Sequence, residues 1–129
     1  MKFIRVLLIP VSFLYGCITW MRNVMFDFGL LPSREFKIPV ISVGNLSAGG
    51  TGKTPHIEYL VKLIKGVSKT AILSRGYGRI TSTFRIASMV SSIKEIGDEP
   101  RQFKQKFKDE IMVAVDTSRV NGIKKILQH

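Results

Sequence analysis

The chain has 129 residues, enough for one domain with a modest core. Twenty Lys and Arg against nine Asp and Glu leave a net charge of +11 spread along the chain, which suits anionic partners such as nucleotide, nucleic acid or lipid headgroups without choosing among them. A single cysteine, Cys17, excludes an intrachain disulfide and any multi-cysteine zinc site, and its apolar surroundings read as packing.

From Val6 to Met21 there is no formal charge, and the run carries Phe13, Tyr15 and Trp20 between Arg5 and Arg22. As a helix it spans about 24 Å, short of the roughly 30 Å of bilayer hydrocarbon. Pro10 and Gly16 weaken a straight span further. Lys2 and Arg5 ahead of an apolar core imitate a signal peptide, but no small-x-small cleavage site follows. Residues 1–33 therefore read as a helix lying in a membrane interface, aromatics at headgroup level and cations toward anionic lipid. A true span and a core helix are the alternatives. Pro32-Ser33 closes the segment as a turn.

Residues 34–129 read as a second region. Ile38-Pro39-Val40-Ile41-Ser42-Val43 predicts a strand, and it runs into Gly44-Asn45-Leu46-Ser47-Ala48-Gly49-Gly50-Thr51-Gly52-Lys53-Thr54-Pro55. Strand, glycine-rich loop, then Gly-Lys-Thr at a helix start is the context of a phosphate-binding loop. Small residues let backbone N–H groups turn inward around a polyphosphate, and the positive end of the helix adds to that field. Ser47, Ala48, Gly49, Gly50, Thr51, Gly52, Lys53 and Thr54 are the candidate nucleotide-binding residues. Lys53 would reach the β- and γ-phosphates of ATP, and the Thr54 hydroxyl would ligate Mg²⁺. The usual first glycine is replaced by Ser47.

Beyond the loop, Ile57, Leu60, Val61 and Ile64 recur at helical spacing, and Gly66 ends the helix. Lys69–Ser74 predicts a strand leading into Arg75-Gly76-Tyr77-Gly78-Arg79, and Phe84–Ala87 predicts a short strand. Met89–Ile96 fits either type. Gly97-Asp98-Glu99-Pro100 is a turn opening an amphipathic helix with Phe103 and Phe107, and Ile111–Val115 is a buried strand. Thr117 or Ser118 can cap a last helix whose Val120, Ile123 and Leu127 share a face. The alternation predicts an α/β fold with a parallel sheet, ligands lying at the carboxyl ends of its strands.

Three loops should then open on one sheet edge: the phosphate-binding loop, Arg75–Arg79 and Asp116-Thr117-Ser118-Arg119. In the loop Arg75–Arg79, Arg75, Tyr77 and Arg79 offer two guanidinium groups and a phenol on a glycine backbone, suited to phosphate or to a plain solvated surface. Asp98 could accept a proton from an attacking hydroxyl, hold metal through water, or simply cap its helix. Asp116, after a hydrophobic strand, imitates a metal-orienting aspartate, a weak pattern; His56 beside the loop reads as a solvent-facing residue.

In this order, the Gly-Asn-Leu-Ser-Ala-Gly-Gly-Thr-Gly-Lys-Thr-Pro loop, Ser74-Arg75-Gly76-Tyr77-Gly78-Arg79 and Gly97-Asp98-Glu99-Pro100 resemble the amino-terminal part of the tetraacyldisaccharide 4′-kinases, the lipid A kinases of Gram-negative bacteria. The resemblance covers essentially the whole chain, and Ser47 fits the family's own variant of the loop. It implies an incomplete P-loop NTPase-like sheet behind an amino-terminal membrane-associating helix. It also implies an enzyme on the cytoplasmic face of the bacterial inner membrane, peripheral or monotopic, that uses ATP and Mg²⁺ to phosphorylate the 4′-hydroxyl of a tetraacylated glucosamine disaccharide 1-phosphate. Asp98 matches the family's catalytic base, with Lys53 on the phosphates and Thr54 toward the metal; Arg75, Tyr77 and Arg79 match a motif near the active site. Family members are more than twice as long, and their metal-orienting carboxylates and partner histidine come after residue 129. Weak ATP binding with negligible turnover is therefore expected of these residues alone. No nucleic-acid partner is expected. The alternatives are a P-loop NTPase serving a protein or nucleic-acid partner and an inactive membrane-bound remnant.

Overall fold

The computed structural model describes residues 8–44 and 52–129. The chain divides into two compact units, Met1–Val40 and Ile41–His129.

In the first unit, helix α1 runs Ile9–Asp27 with Pro10 in its opening turn, where a missing N–H costs nothing. It ends ahead of the expected turn. Gly29, at φ +68°, lets its own N–H reach Phe26 O at 3.0 Å and the N–H of Leu30 reach Met25 O at 2.9 Å, closing the last carbonyls. No residue of α1 is buried, and Phe13, Tyr15 and Trp20 stand exposed. No helix among the described residues is long and apolar enough to cross a membrane.

The second unit is α/β. Its elements run α2 (Lys53–Ile64), β1 (Ala71–Ser74), β2 (Arg85–Ile86), α3 (Ile93–Ile96), α4 (Asp98–Phe107), β3 (Met112–Val115) and α5 (Arg119–Ile126). The sheet order is β1-β3-β2, so β3 has a neighbour on each side. Val113, Ala114 and Val115 are fully buried, which is why this strand reads as an unbroken apolar run. β1 pairs with β3 in parallel, Ala71 opposite Met112 through Ser74 opposite Val115.

β2 departs from the all-parallel expectation. It pairs antiparallel, Arg85 opposite Val115 and Ile86 opposite Ala114. Residues 75–84 are too few for a helical crossover, which takes a dozen or more. The chain instead reverses and lays a two-residue strand on the far edge of β3. The Ile38–Val43 run forms no strand among the described residues, and Ile38, Val40 and Ile41 are exposed. Its backbone groups have no ladder partner among the described residues, and apolar β-branched content alone does not make a strand.

The core joins Ile72, Val113 and Val115 of the sheet to Val61 of α2, Ile96 of α3 and Phe103 and Phe107 of α4, with Ala87 and Ile111 beside them. Ion pairs Lys106–Glu58 and Lys65–Glu110 brace α2 against α4 and the turn beyond it. The ambiguous Met89–Ile96 segment resolves into a turn and one helical turn. Ser92 and Glu95 form a reciprocal capping box there, with Ser92 N–H donating to Glu95 Oε2 at 2.8 Å.

Ser118 caps α5, its Oγ accepting from Asn121 N–H at 3.3 Å. The expected face of Val120, Ile123 and Leu127 is not the packing face, because Val120 and Leu127 are exposed. Gly122 is the buried residue instead. A Cβ there would fall 2.7 and 2.8 Å from the methyls of Leu73, so its absence lets the helix backbone close onto β1.

Candidate functional site

The start of α2 carries the end of the phosphate-loop motif. Gly52 adopts φ +76°, a left-handed conformation open to glycine, and turns the chain into the helix with Lys53 at its first position. Lys53 is exposed and Thr54 half-buried. The first four N–H groups of such a helix lack intrahelical partners, so its start carries a partial positive charge beside Lys53 and Thr54. Ser47, Ala48, Gly49, Gly50 and Thr51 lie outside the described residues. His56 folds back through Nδ1, 2.8 Å from Gly52 O, and bridges the first turn.

The start of α4 meets this end. Thr54 Oγ1 donates to Glu99 Oε1 at 3.0 Å, across 45 positions of sequence. Glu99 follows Asp98, the first residue of α4, and Asp98 is exposed with Oδ1 accepting from Glu99 N–H at 2.8 Å. Pro100, in the same turn, is fully buried, where a proline needs no amide donor. Asp98 is not the N-cap of this helix. That position belongs to Gly97, at φ +91° and ψ 164°.

Gly97 also sets the third component. A Cβ on Gly97 would lie 2.9 Å from Tyr77 O and 3.1 Å from Gly76 C and Cα, and one on Gly76 would lie 2.6 Å from Ile96 O. The Arg75–Arg79 loop thus sits backbone to backbone on the entry to α4. Gly76 takes φ +67° and Gly78 φ +78°, and the N–H of Arg79 closes the turn on Gly76 O at 3.2 Å. Arg75 and Tyr77 point into solvent. Arg79 turns inward instead, its guanidinium donating to Thr83 O at 2.6 Å and Ser82 O at 3.1 Å. Its Nε is buried without a partner among the described residues. In this conformation Arg79 holds the 79–83 reversal together rather than facing a ligand.

Asp116 is nearly fully buried and occupied. Oδ1 accepts from Ser118 N–H at 2.9 Å and Oδ2 from Asn121 Nδ2 at 2.6 Å, so it organises the entry to α5. It terminates β3 beside Ser74 of β1, and Arg75 therefore leaves the sheet at the same carboxyl edge. Among the described residues no three His, Cys, Asp or Glu side chains form a metal-holding group.

One Thr–Glu bond and one glycine–glycine contact thus gather Lys53, Thr54, Asp98, Glu99, Arg75 and Tyr77 around two helix starts. Exposed cations and helix amino ends can hold a polyphosphate, and an exposed carboxylate beside them can take a proton from a hydroxyl. Glu99 is not singled out by the sequence alone. Its place next to Asp98, in a motif already singled out, was the available signal.

The sequence profile of the family described as LpxK, tetraacyldisaccharide-1-P 4′-kinase, matches residues 4–129. A tetraacyldisaccharide 4′-kinase of Flavobacterium johnsoniae is 52% identical over 127 residues, covering 98% of this chain and 37% of the relative. One from Phocaeicola vulgatus is 53% identical over 119 residues, covering 92% of this chain and 32% of the relative. The crystal structure of LpxK from Aquifex aeolicus in complex with ATP is similar with a TM-score of 0.78 and 39% identity, over 97% of this chain and 40% of that one. The chain therefore spans about a third of the length of the curated relatives it matches.

Proposed function

The chain belongs to the tetraacyldisaccharide 4′-kinase family, and from that premise we propose that it supplies the nucleotide-binding end of an ATP-dependent lipid A 4′-kinase. The acceptor would be the 4′-hydroxyl of a tetraacylated glucosamine disaccharide 1-phosphate. The observation that supports this reading is the Thr54–Glu99 hydrogen bond, which joins the first turn of α2 to the residue next to Asp98. In this reading residues 47–54 hold the triphosphate, Lys53 neutralises its terminal charge and Asp98 accepts the proton of the attacking hydroxyl. Arg75 and Tyr77 face outward from the same edge and are proposed to meet the acceptor or its phosphate; Arg79 supports their loop.

Mg²⁺ suits the oxygen donors available, the Thr54 hydroxyl with the Glu99 carboxylate at hydrogen-bond distance from it. When bound, the ion would screen charge on the transferring phosphoryl group. Thr54 would hold it, and Glu99 would orient Thr54.

We further propose that α1 lies on the cytoplasmic face of the inner membrane. Its exposed Phe13, Tyr15 and Trp20 supply apolar and amphipathic contact, and Arg22, 4.8 Å over the ring of Phe26, stays near the polar boundary.

Two measurements test the catalytic reading. Titration of the chain with a fluorescent ATP analogue should weaken about 10- to 100-fold in Lys53→Ala, the loss of a charge-assisted phosphate contact. In the protein carrying the whole family length, Asp98→Asn should leave ATP affinity unchanged and lower kcat by at least about 100-fold. Unchanged affinity in Lys53→Ala, or full turnover in Asp98→Asn, contradicts the assignment of that residue.

A further inference from the structure

From Arg75 to Lys94 the chain contains four cations, Arg75, Arg79, Arg85 and Lys94, and no carboxylate. The same stretch exposes apolar side chains where turns ordinarily carry polar ones. Met89 and Val90 occupy the middle of a four-residue turn between Ser88 and Ser91. Ser91 N–H donates to Ser88 O at 3.2 Å, Ser88 N–H donates to Ser91 Oγ at 3.0 Å, and the two hydroxyls lie 3.0 Å apart. The tip is thereby fixed, yet Val90 is 92% exposed and Met89 49%. Gly, Asn and Asp are the usual residues at such positions.

The tip is part of a larger apolar edge. Ile93 is exposed one turn further on, and Ile80, 78% exposed, donates its N–H to Lys94 O at 2.8 Å. Thr81 Oγ1 adds a bond to Glu95 O at 3.3 Å. Two chain segments are therefore laced together, each presenting an isoleucine to solvent. Tyr77, 93% exposed, stands on the neighbouring turn that packs on Gly97. Glu95, the first acid after the stretch, is engaged with Arg85 at 3.1 Å and with Ser92, so these two charges cancel and the exposed Arg75 and Lys94 leave the edge positive.

We propose that this edge of the second unit is a lipid-contacting surface: Met89 and Val90 enter the headgroup region of an anionic bilayer, with Ile80 and Ile93 beside them and Lys94 and Arg75 on the phosphates. Charge complementarity selects the occupant. A fixed apolar tip between serines, with Arg75 and Lys94 exposed on the same stretch and the one nearby acid, Glu95, matched by Arg85, suits a negatively charged interface. The surface belongs to a different unit from α1 and would be a point of attachment in its own right. It rests on the proposal that the protein works at a membrane, but not on α1 being the part that docks.

The test places an environment-sensitive fluorophore at single cysteines in the full chain, in a Cys17→Ser background. Labels at Val90→Cys, at Phe13→Cys on α1 and at Gln105→Cys on α4 are compared. Vesicles of phosphatidylethanolamine with phosphatidylglycerol are added, then vesicles of phosphatidylcholine alone. The expected result is a blue-shifted emission at position 90 on anionic vesicles, quenched by brominated lipid, with position 105 unchanged. Val90→Asp, at a site too exposed to disturb the core, should weaken vesicle binding about tenfold while the melting temperature holds. A response at position 13 with silence at 90 overturns this proposal and leaves the α1 reading standing. A response at 90 with silence at 13 does the reverse, and silence at both defeats both. A shift at 90 that grows with protein concentration without vesicles, or that needs another part of a longer chain, also overturns it, because the occupant is then protein.

Discussion

Replacing Gly97 by alanine should damage both the fold and the site, by amounts set by the structure. Gly97 has φ +91° and ψ 164°, a region essentially reserved for glycine, and forcing a side chain there costs about 1–3 kcal/mol. The added methyl would also lie 2.9 Å from Tyr77 O and 3.1 Å from two backbone atoms of Gly76. Those are main-chain atoms, unable to swing aside as a side-chain tip could, and such overpacking adds roughly 1–3 kcal/mol. Gly78→Ala is the matched control, with φ +78° and nothing within 4 Å of its Cβ, so only the conformational cost of about 1–2 kcal/mol remains. Unfolding followed by circular dichroism should then place Gly97→Ala below Gly78→Ala by about 1–3 kcal/mol, a further loss of at least about 4 °C in melting temperature. Equal midpoints for the two variants would refute the claim that the Gly76–Gly97 contact is tight.

Two further outcomes are expected. Ser118→Ala removes the oxygen that accepts from Asn121 N–H and should lower stability by about 1 kcal/mol in denaturant titration, with Ser118→Asp near wild type. Glu95 is held below its ordinary value of 4.5, first by the N–H of Ser92, then by the Ser92 hydroxyl, with Arg85 adding its charge. A carboxyl lowered on folding contributes stability that is present above its unfolded value and lost as pH falls through the folded one. The midpoint difference between wild type and Glu95→Gln should therefore shrink on acidification below pH 4.5. A difference that persists unchanged to about pH 3 contradicts this linkage.

Local signals in the sequence reached the elements that local rules govern. The α2 pattern of Ile57, Leu60, Val61 and Ile64, the buried run of β3 and the Ser118 cap depend on neighbours within a few residues, and each is present. Features made by distant partners were hidden. The antiparallel placement of β2 depends on which edge of β3 is open, and Ile38–Val43 has strand composition with no pairing partner among the described residues. Gly122 gave no periodic apolar signal because it packs through the lack of a side chain. At the site, Lys53, Thr54, Asp98 and the Arg75–Arg79 loop were legible as motifs. That Thr54 touches Glu99, and that Arg79 is spent on Ser82 and Thr83, follows only from the folded chain.

The Thr54–Glu99 bond also settles which way the hydroxyl is turned. Its one proton is donated to Glu99, which leaves the lone pairs of the oxygen to accept. A cation or an N–H donor can therefore take the Thr54 oxygen without breaking the bond to Glu99. Glu99 is joined by a single peptide bond to Asp98, so the same bond ties the first turn of α2 to the first turn of α4. The proposed metal-holding oxygen and the proposed base then share one brace, with a carboxylate as its strut.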